Sequence, residues 1–161
     1  MKYSELQKTL SLKLNDIHPD KHDLFASVVN AVSIPRAFED STNVLTELTF
    51  ENGEQAVLKQ CQSSSLKDSD FWIGMQSLFS LNFAQSMGGY KPVYALLTQQ
   101  GRVTVPQLLD ADSASDDFSG FLCTTKLPGT VLCEEQVTDA MIDQLAEHLA
   151  RLHQDQNGFF G

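Results

Sequence analysis

Basic residues are scarce. Eleven Lys and Arg stand against 21 Asp and Glu, a net charge of −10, and a surface that tracks nucleic-acid phosphates would have to overcome that field. Long apolar runs are also missing: none approaches the roughly 20 residues of a membrane span. Lys2, Glu5, Lys8 and Lys13 interrupt the leucines of residues 1–14 in a way foreign to a signal peptide. A cytoplasmic protein without membrane or nucleic-acid partners is expected. The three cysteines, Cys61, Cys123 and Cys133, show no CxxC or CxxH spacing, which argues for reduced, buried thiols rather than a disulfide framework or a zinc site. His18 and His22 are four apart, but Pro19 intervenes and no third ligand follows; they read as solvated surface groups. His148 and His153, five apart, fall on different sides of a helix, with His153 expected to pack at a domain junction. No metal site is expected, and neither GxxxxGK nor GxSxG occurs.

What is present reads as an α+β chain. Polar and apolar residues recur at helical spacing over residues 3–14 and 19–32, with Pro19 suited to a first helical turn. The strongest local signal follows: two strand-like runs, 44–51 and 54–61, flank Asn52-Gly53, a pair suited to the positive φ angles of a two-residue hairpin turn. With those two residues as the loop, Leu48 pairs with Val57 and Thr46 with Lys59. Lys59 then shares a face with Val44, Thr46, Leu48 and Phe50, an unusual setting for a cation. It either reaches past its neighbours to water or meets an anion in a cleft. Helices are expected over 71–83 and 92–99, strands over 103–109 and 120–127, and a final helix after Thr138 bearing Ile142, Leu145, Leu149 and Leu152 on one face.

The ordered series Val57-Leu58-Lys59, Val103-Thr104-Val105-Pro106, Thr124-Thr125-Lys126-Leu127-Pro128-Gly129 and Leu149-Ala150-Arg151-Leu152-His153 resembles the aminoglycoside and choline kinase superfamily. The stretch from Ala150 to Gln154, followed by Phe160-Gly161, is most similar to the fructosamine kinase branch, with type II homoserine kinases a further relative. The resemblance implies a protein-kinase-like N-terminal lobe: a five-stranded, mainly antiparallel sheet with flanking helices, the hairpin central in it. It implies ATP as cofactor, with Lys59 on the α- and β-phosphates and Val57 against adenine. Backbone groups of Thr124, Thr125 and Lys126 would serve as the hinge, and Asn43, with Thr42 beside it, matches the glycine-rich loop segment. A small-molecule phosphate acceptor is implied for the full-length protein, and Mg2+ only together with a C-terminal lobe.

The sequence also departs from that pattern. The loop reads Glu39-Asp40-Ser41-Thr42 without glycine, and the two acids repel phosphate. No glutamate occurs between Glu54 and Glu134, so the ion pair that kinases form between the strand lysine and a helix glutamate has no conventional partner. No HGD catalytic loop is present, and no catalytic residue is assigned. The expected organisation is N-terminal helices over 1–37, an ATP-binding lobe over 38–127, and a hinge exit with the first helix of a truncated second lobe over 128–161. The leading reading is the nucleotide-binding part of a small-molecule kinase. Its rival is a noncatalytic, degenerate lobe that binds proteins. The apolar stripe of the last helix is expected to pair with a second copy of the chain.

Overall fold

The computed structural model describes residues 14–35, 42–62, 66–67, 69–101, 103–130 and 132–154; the expected helix over residues 3–14 falls almost wholly outside them. The chain divides into two compact units, Met1–Lys91 with Leu108–Lys126, and Pro92–Gln107 with Leu127–Gly161. None of the described helices is long and apolar enough to cross a membrane.

The first unit is built on five strands, β1 (Val28–Ile34), β2 (Val44–Phe50), β3 (Gln55–Cys61), β4 (Leu108–Asp112) and β5 (Gly120–Thr125). Their spatial order is β1-β2-β3-β5-β4, every neighbouring pair antiparallel, with the hairpin strands β2 and β3 inside the sheet. The sheet is the one expected, but one strand comes from an unexpected place. Residues 19–32 do not form a continuous helix: a 3-10 helix covers Pro19–Phe25 and the chain then extends as β1. Val28, Val29 and Val32 are β-branched, and pairing with β2 outweighs their weak helical spacing. The strand expected over 103–109 begins only at Leu108, because Pro106 cannot donate to a ladder.

The hairpin turn holds three residues, not two. The Gly53 amide donates to the Phe50 carbonyl at 2.9 Å, the Phe50 amide donates to the Glu54 carbonyl at 2.9 Å, and Gly53 sits at φ +84°. Asn52 fixes the turn through its side chain, accepting from the Glu54 amide at 3.0 Å. This is the three-residue loop closed by a glycine in the left-handed region. The extra residue shifts the register by one, so Leu48 pairs with Ala56, Glu47 with Val57, Thr46 with Leu58 and Leu45 with Lys59. A slip of one transfers every side chain to the other face, and Lys59 does not share its face with Thr46 and Leu48.

One face of the sheet carries Leu48, Ala56, Leu58, Phe121 and Cys123, all buried, and packs on Ile17 and Phe25 of the N-terminal segment. Each such large side chain contributes roughly 1.5–3 kcal/mol. The 3-10 helix is tied down at Lys21, whose ammonium lies 2.9 Å from Asp110 of β4. His22 is half-buried instead of solvated, its Nε2 within 3.0 Å of the Ile17 carbonyl. The opposite face is covered by α1 (Asp70–Phe79), α2 (Phe83–Ser86) and the start of α3 (Tyr90–Gln100), through a cluster of Cys61, Leu66, Ala84 and Met87 with Trp72, Phe83 and Leu122 against it. The helix expected over 71–83 stops early at Ser80, which takes a left-handed φ of 53° and closes the helix by donating to Gln76.

The second unit contains the rest of α3 and α4 (Asp139–Leu152). Thr138 caps α4 as expected, accepting from the Met141 amide. His148 is the buried histidine of this helix, its Nδ1 3.4 Å from the Val103 amide, whereas His153 is exposed. Gly101 permits that approach, since a Cβ there would lie 2.7 Å from the imidazole.

Candidate functional site

The three-residue turn decides which side chains surround Lys59. Directly opposite residues of antiparallel strands point to the same side, so Lys59 lies between Leu45 of β2 and Leu122 of β5, and Val57 between Glu47 and Thr124. Extending the β2–β3 alternation by one residue puts Asn43 opposite Cys61 on that face. The structure thus gathers Asn43, Val57, Lys59 and Thr124 on one side of the sheet. Thr125 falls on the other side, opposite Ala56. The Lys126 amide is already committed to the Gln55 carbonyl at 2.9 Å, and its ammonium pairs with Glu47 at 2.9 Å. The Lys126 amide is thus engaged within the sheet.

The electrostatics follow from those pairings. Glu47 is the one carboxylate of β2 on the Lys59 face, and Lys126 together with the Gln55 amide, 3.1 Å away, satisfies it. Among the described residues no carboxylate forms an ion pair with Lys59. Its Nζ instead lies over the ring of Phe83, 5.2 Å from the centroid, within the range of a cation–π contact. Among the described residues the ammonium is therefore oriented by a ring and not by a carboxylate. Burial pushes the Cys61 thiol up from its ordinary value, against smaller opposing effects of the Thr42 hydroxyl and the Lys59 charge, so Cys61 packs as a neutral thiol.

Two polar atoms nearby are left over. The Thr42 Oγ1 and Asn43 Oδ1 are buried and, among the described residues, accept no hydrogen bond; the Thr42 hydroxyl faces the Cys61 thiol. A buried oxygen without a partner costs roughly 1–3 kcal/mol, and such groups in native proteins call for an explanation. Both stand at the entry to β2, where the sequence resemblance places a nucleotide-binding segment. Two cavities of about 340 and 410 Å3 in this unit share Lys67 and Gln85, and Lys59 lines neither.

Sequence reasoning missed Phe83, Glu47, Leu45 and Leu122. The last three follow directly from the register once the turn length is known. Phe83 left a faint signal, since Trp72, Phe83 and Tyr90 punctuate a stretch with no glutamate.

No curated protein matches the chain by sequence. A similar solved structure, the GDP and kanamycin complex of APH(2")-IIia, is 18% identical with a TM-score of 0.46. The similarity covers 95% of this chain and 42% of that one, so the chain spans less than half the length of that structure. The model of the phosphotransferase enzyme family matches residues 47–158, a span that takes in Glu47, Val57, Lys59, Phe83 and Thr124 and leaves Thr42 and Asn43 just ahead of it. The chain belongs to the phosphotransferase enzyme family.

Proposed function

We propose that this chain is the nucleotide-binding part of an ATP-dependent small-molecule kinase. The observation that supports the reading most is Lys59, which among the described residues has no carboxylate partner and shares a sheet face with Val57 and Thr124, near two buried oxygens that accept no hydrogen bond from those residues. The residues fit the group: Lys59 would meet phosphate oxygens, Val57 and Thr124 would line the base, and Asn43 and Thr42 would gain the partners they lack. ATP supplies the transferable phosphoryl group; positioning and charge compensation fall to the protein. No HGD catalytic loop occurs in these 161 residues. Transfer to a hydroxyl of a small acceptor, and the Mg2+ that accompanies it, would therefore draw on groups that this sequence does not supply.

Calorimetric titration with ATP and Mg2+, with GTP as comparator, tests the proposal. Weak binding by the wild type that falls at least tenfold in Lys59→Ala and in Val57→Asp supports it. Equal affinity in wild type and Lys59→Ala overturns the role of Lys59.

A second reading, a noncatalytic lobe that associates with proteins, is favoured by α4. Ile142, Leu145 and Leu149 are about half exposed, on the face expected to pair with a second copy. Sedimentation separates the two readings. A wild-type dimer that Leu145→Glu with Leu149→Glu converts to monomer supports self-association, and a wild-type monomer at all concentrations removes it.

A further inference from the structure

We infer that Phe83 is the positioning residue for Lys59, an aromatic face performing the orienting task for which the sequence offers no glutamate; the consequence for nucleotide binding rests on the reading above. Phe83 is not free to turn away. Its ring is stacked on Trp72 at 5.0 Å with 29° between planes, and it meets Tyr90 edge-on at 6.3 Å. Those rings come from α1 and α3, so two helices flank the α2 ring that faces the cation. Phe71 extends the series, edge to Trp72 at 5.0 Å. Below it, Phe83 packs on the buried cluster of Cys61, Ala84 and Met87.

A ring and a carboxylate orient a lysine in different ways. A carboxylate draws the ammonium into a hydrogen-bonded pair and cancels its charge. The negative face of a ring attracts the same ammonium through its quadrupole, takes none of its three protons, and leaves the full charge for an incoming anion. Leu45 and Leu122, on either side of Lys59, confine the methylene stem and leave the head between the ring and whatever lies in front of it. With Glu47 satisfied by Lys126, Lys59 is the unneutralised charge of this face among the described residues. The geometry therefore suits a phosphate-binding lysine held in place before its ligand arrives, which reduces the entropy lost on binding.

The test uses the whole chain with Phe83→Leu, which keeps an apolar side chain and removes the π face, and Phe83→Trp, which keeps the face. In nucleotide-free protein, the ε-methylene protons of Lys59 are expected upfield of those of the other lysines because of the ring current. That shift should vanish in Phe83→Leu and persist in Phe83→Trp. The dissociation constant for ATP with Mg2+ should rise about three- to tenfold in Phe83→Leu and return toward wild type in Phe83→Trp. A purely structural role for Phe83 would not move the Lys59 resonances selectively. Lys59 protons at ordinary lysine shifts in the wild type overturn the inference, even if Phe83→Leu fails to fold. ATP binding unchanged by Phe83→Leu overturns it as well. Wild-type protein with the shift intact but no affinity for ATP sinks the nucleotide reading alone and leaves the ring contact supported.

Discussion

Replacing Asp110 by Asn should destabilise the first unit in a manner that depends on pH in a defined direction. One carboxylate oxygen of Asp110 lies 2.9 Å from Lys21, and the other lies 2.9 Å from Lys91 and accepts from the Ala111 amide at 2.8 Å. The side chains of Asp110 and Lys21 are 23% and 26% exposed, that of Lys91 49%. The Lys91 pair is therefore screened and contributes about 0.2–1 kcal/mol. The less exposed Lys21 bond belongs to the charged class worth about 1.5–3 kcal/mol. Asn keeps the shape and the Ala111 contact but takes from Lys21 its directly bonded carboxylate, leaving only the more distant charges of Asp112 and Asp20, so a loss of about 1.5–3 kcal/mol is expected at pH 7. Burial pushes the Asp110 carboxyl up, but the bonds from Lys91, Lys21 and the Ala111 amide outweigh it and the folded group titrates below its ordinary value. Its stabilisation is complete above the unfolded carboxylate pKa of about 4 and disappears as pH falls through the folded one. Lys21 is raised above 10.5, first by the bond to Asp110, so its share is complete below that value and is lost as pH rises through the folded pKa. Urea unfolding of wild type and Asp110→Asn at pH 7 and pH 2.5, followed by circular dichroism, checks the claim. Equal midpoints at pH 7, or a difference undiminished at pH 2.5, would refute it.

Gly53→Ala should cost about 1–2 kcal/mol, because φ of +84° is strained for any Cβ while no atom lies close enough to clash; a thermal melt indistinguishable from wild type would count against the three-residue turn. Leu58→Ala, at 1% exposure in the centre of the sheet, should lose about 2–5 kcal/mol by denaturant titration. Thr138→Ala should lose about 1 kcal/mol and reduce the helical signal, since it removes the acceptor for the Met141 amide. A thiol reagent at pH 8 should label Cys133 rapidly in native protein and Cys61 and Cys123 only after denaturation. Cys133 is exposed, whereas burial, aided by the Asp110 charge, pushes Cys123 up to about 12; fast labelling of all three would overturn the burial of the sheet thiols.

Local chemistry in the sequence located the hairpin at Asn52-Gly53, the cap at Thr138, the buried strand expected over 120–127 and observed as Gly120–Thr125, and the lysine that stands out on β3. Each of these is written in a few adjacent residues, through a left-handed turn position, a side-chain acceptor, a run of apolar residues or a charge among them. The order of those segments also carried the family. What the sequence left undecided were choices between neighbouring alternatives that differ only in long-range partners. Asn-Gly suits a turn of two residues or the end of a turn of three, and only the pairing that buries Leu48, Ala56 and Leu58 together against Ile17 and Phe25 selects the second. That one-residue choice placed Lys59 on the face opposite Thr46 and Leu48. Residues 28–34 became a strand because the edge of β2 was there to pair with, a fact no local spacing records. The partner of Lys59 was likewise unreadable from charge, since the tertiary structure brought a ring from 24 residues downstream where a carboxylate was sought. Turn chemistry acts within a few residues and is visible in the chain itself, whereas register and cross-element contacts are fixed by which apolar faces can be buried at once, and that is a property of the folded whole.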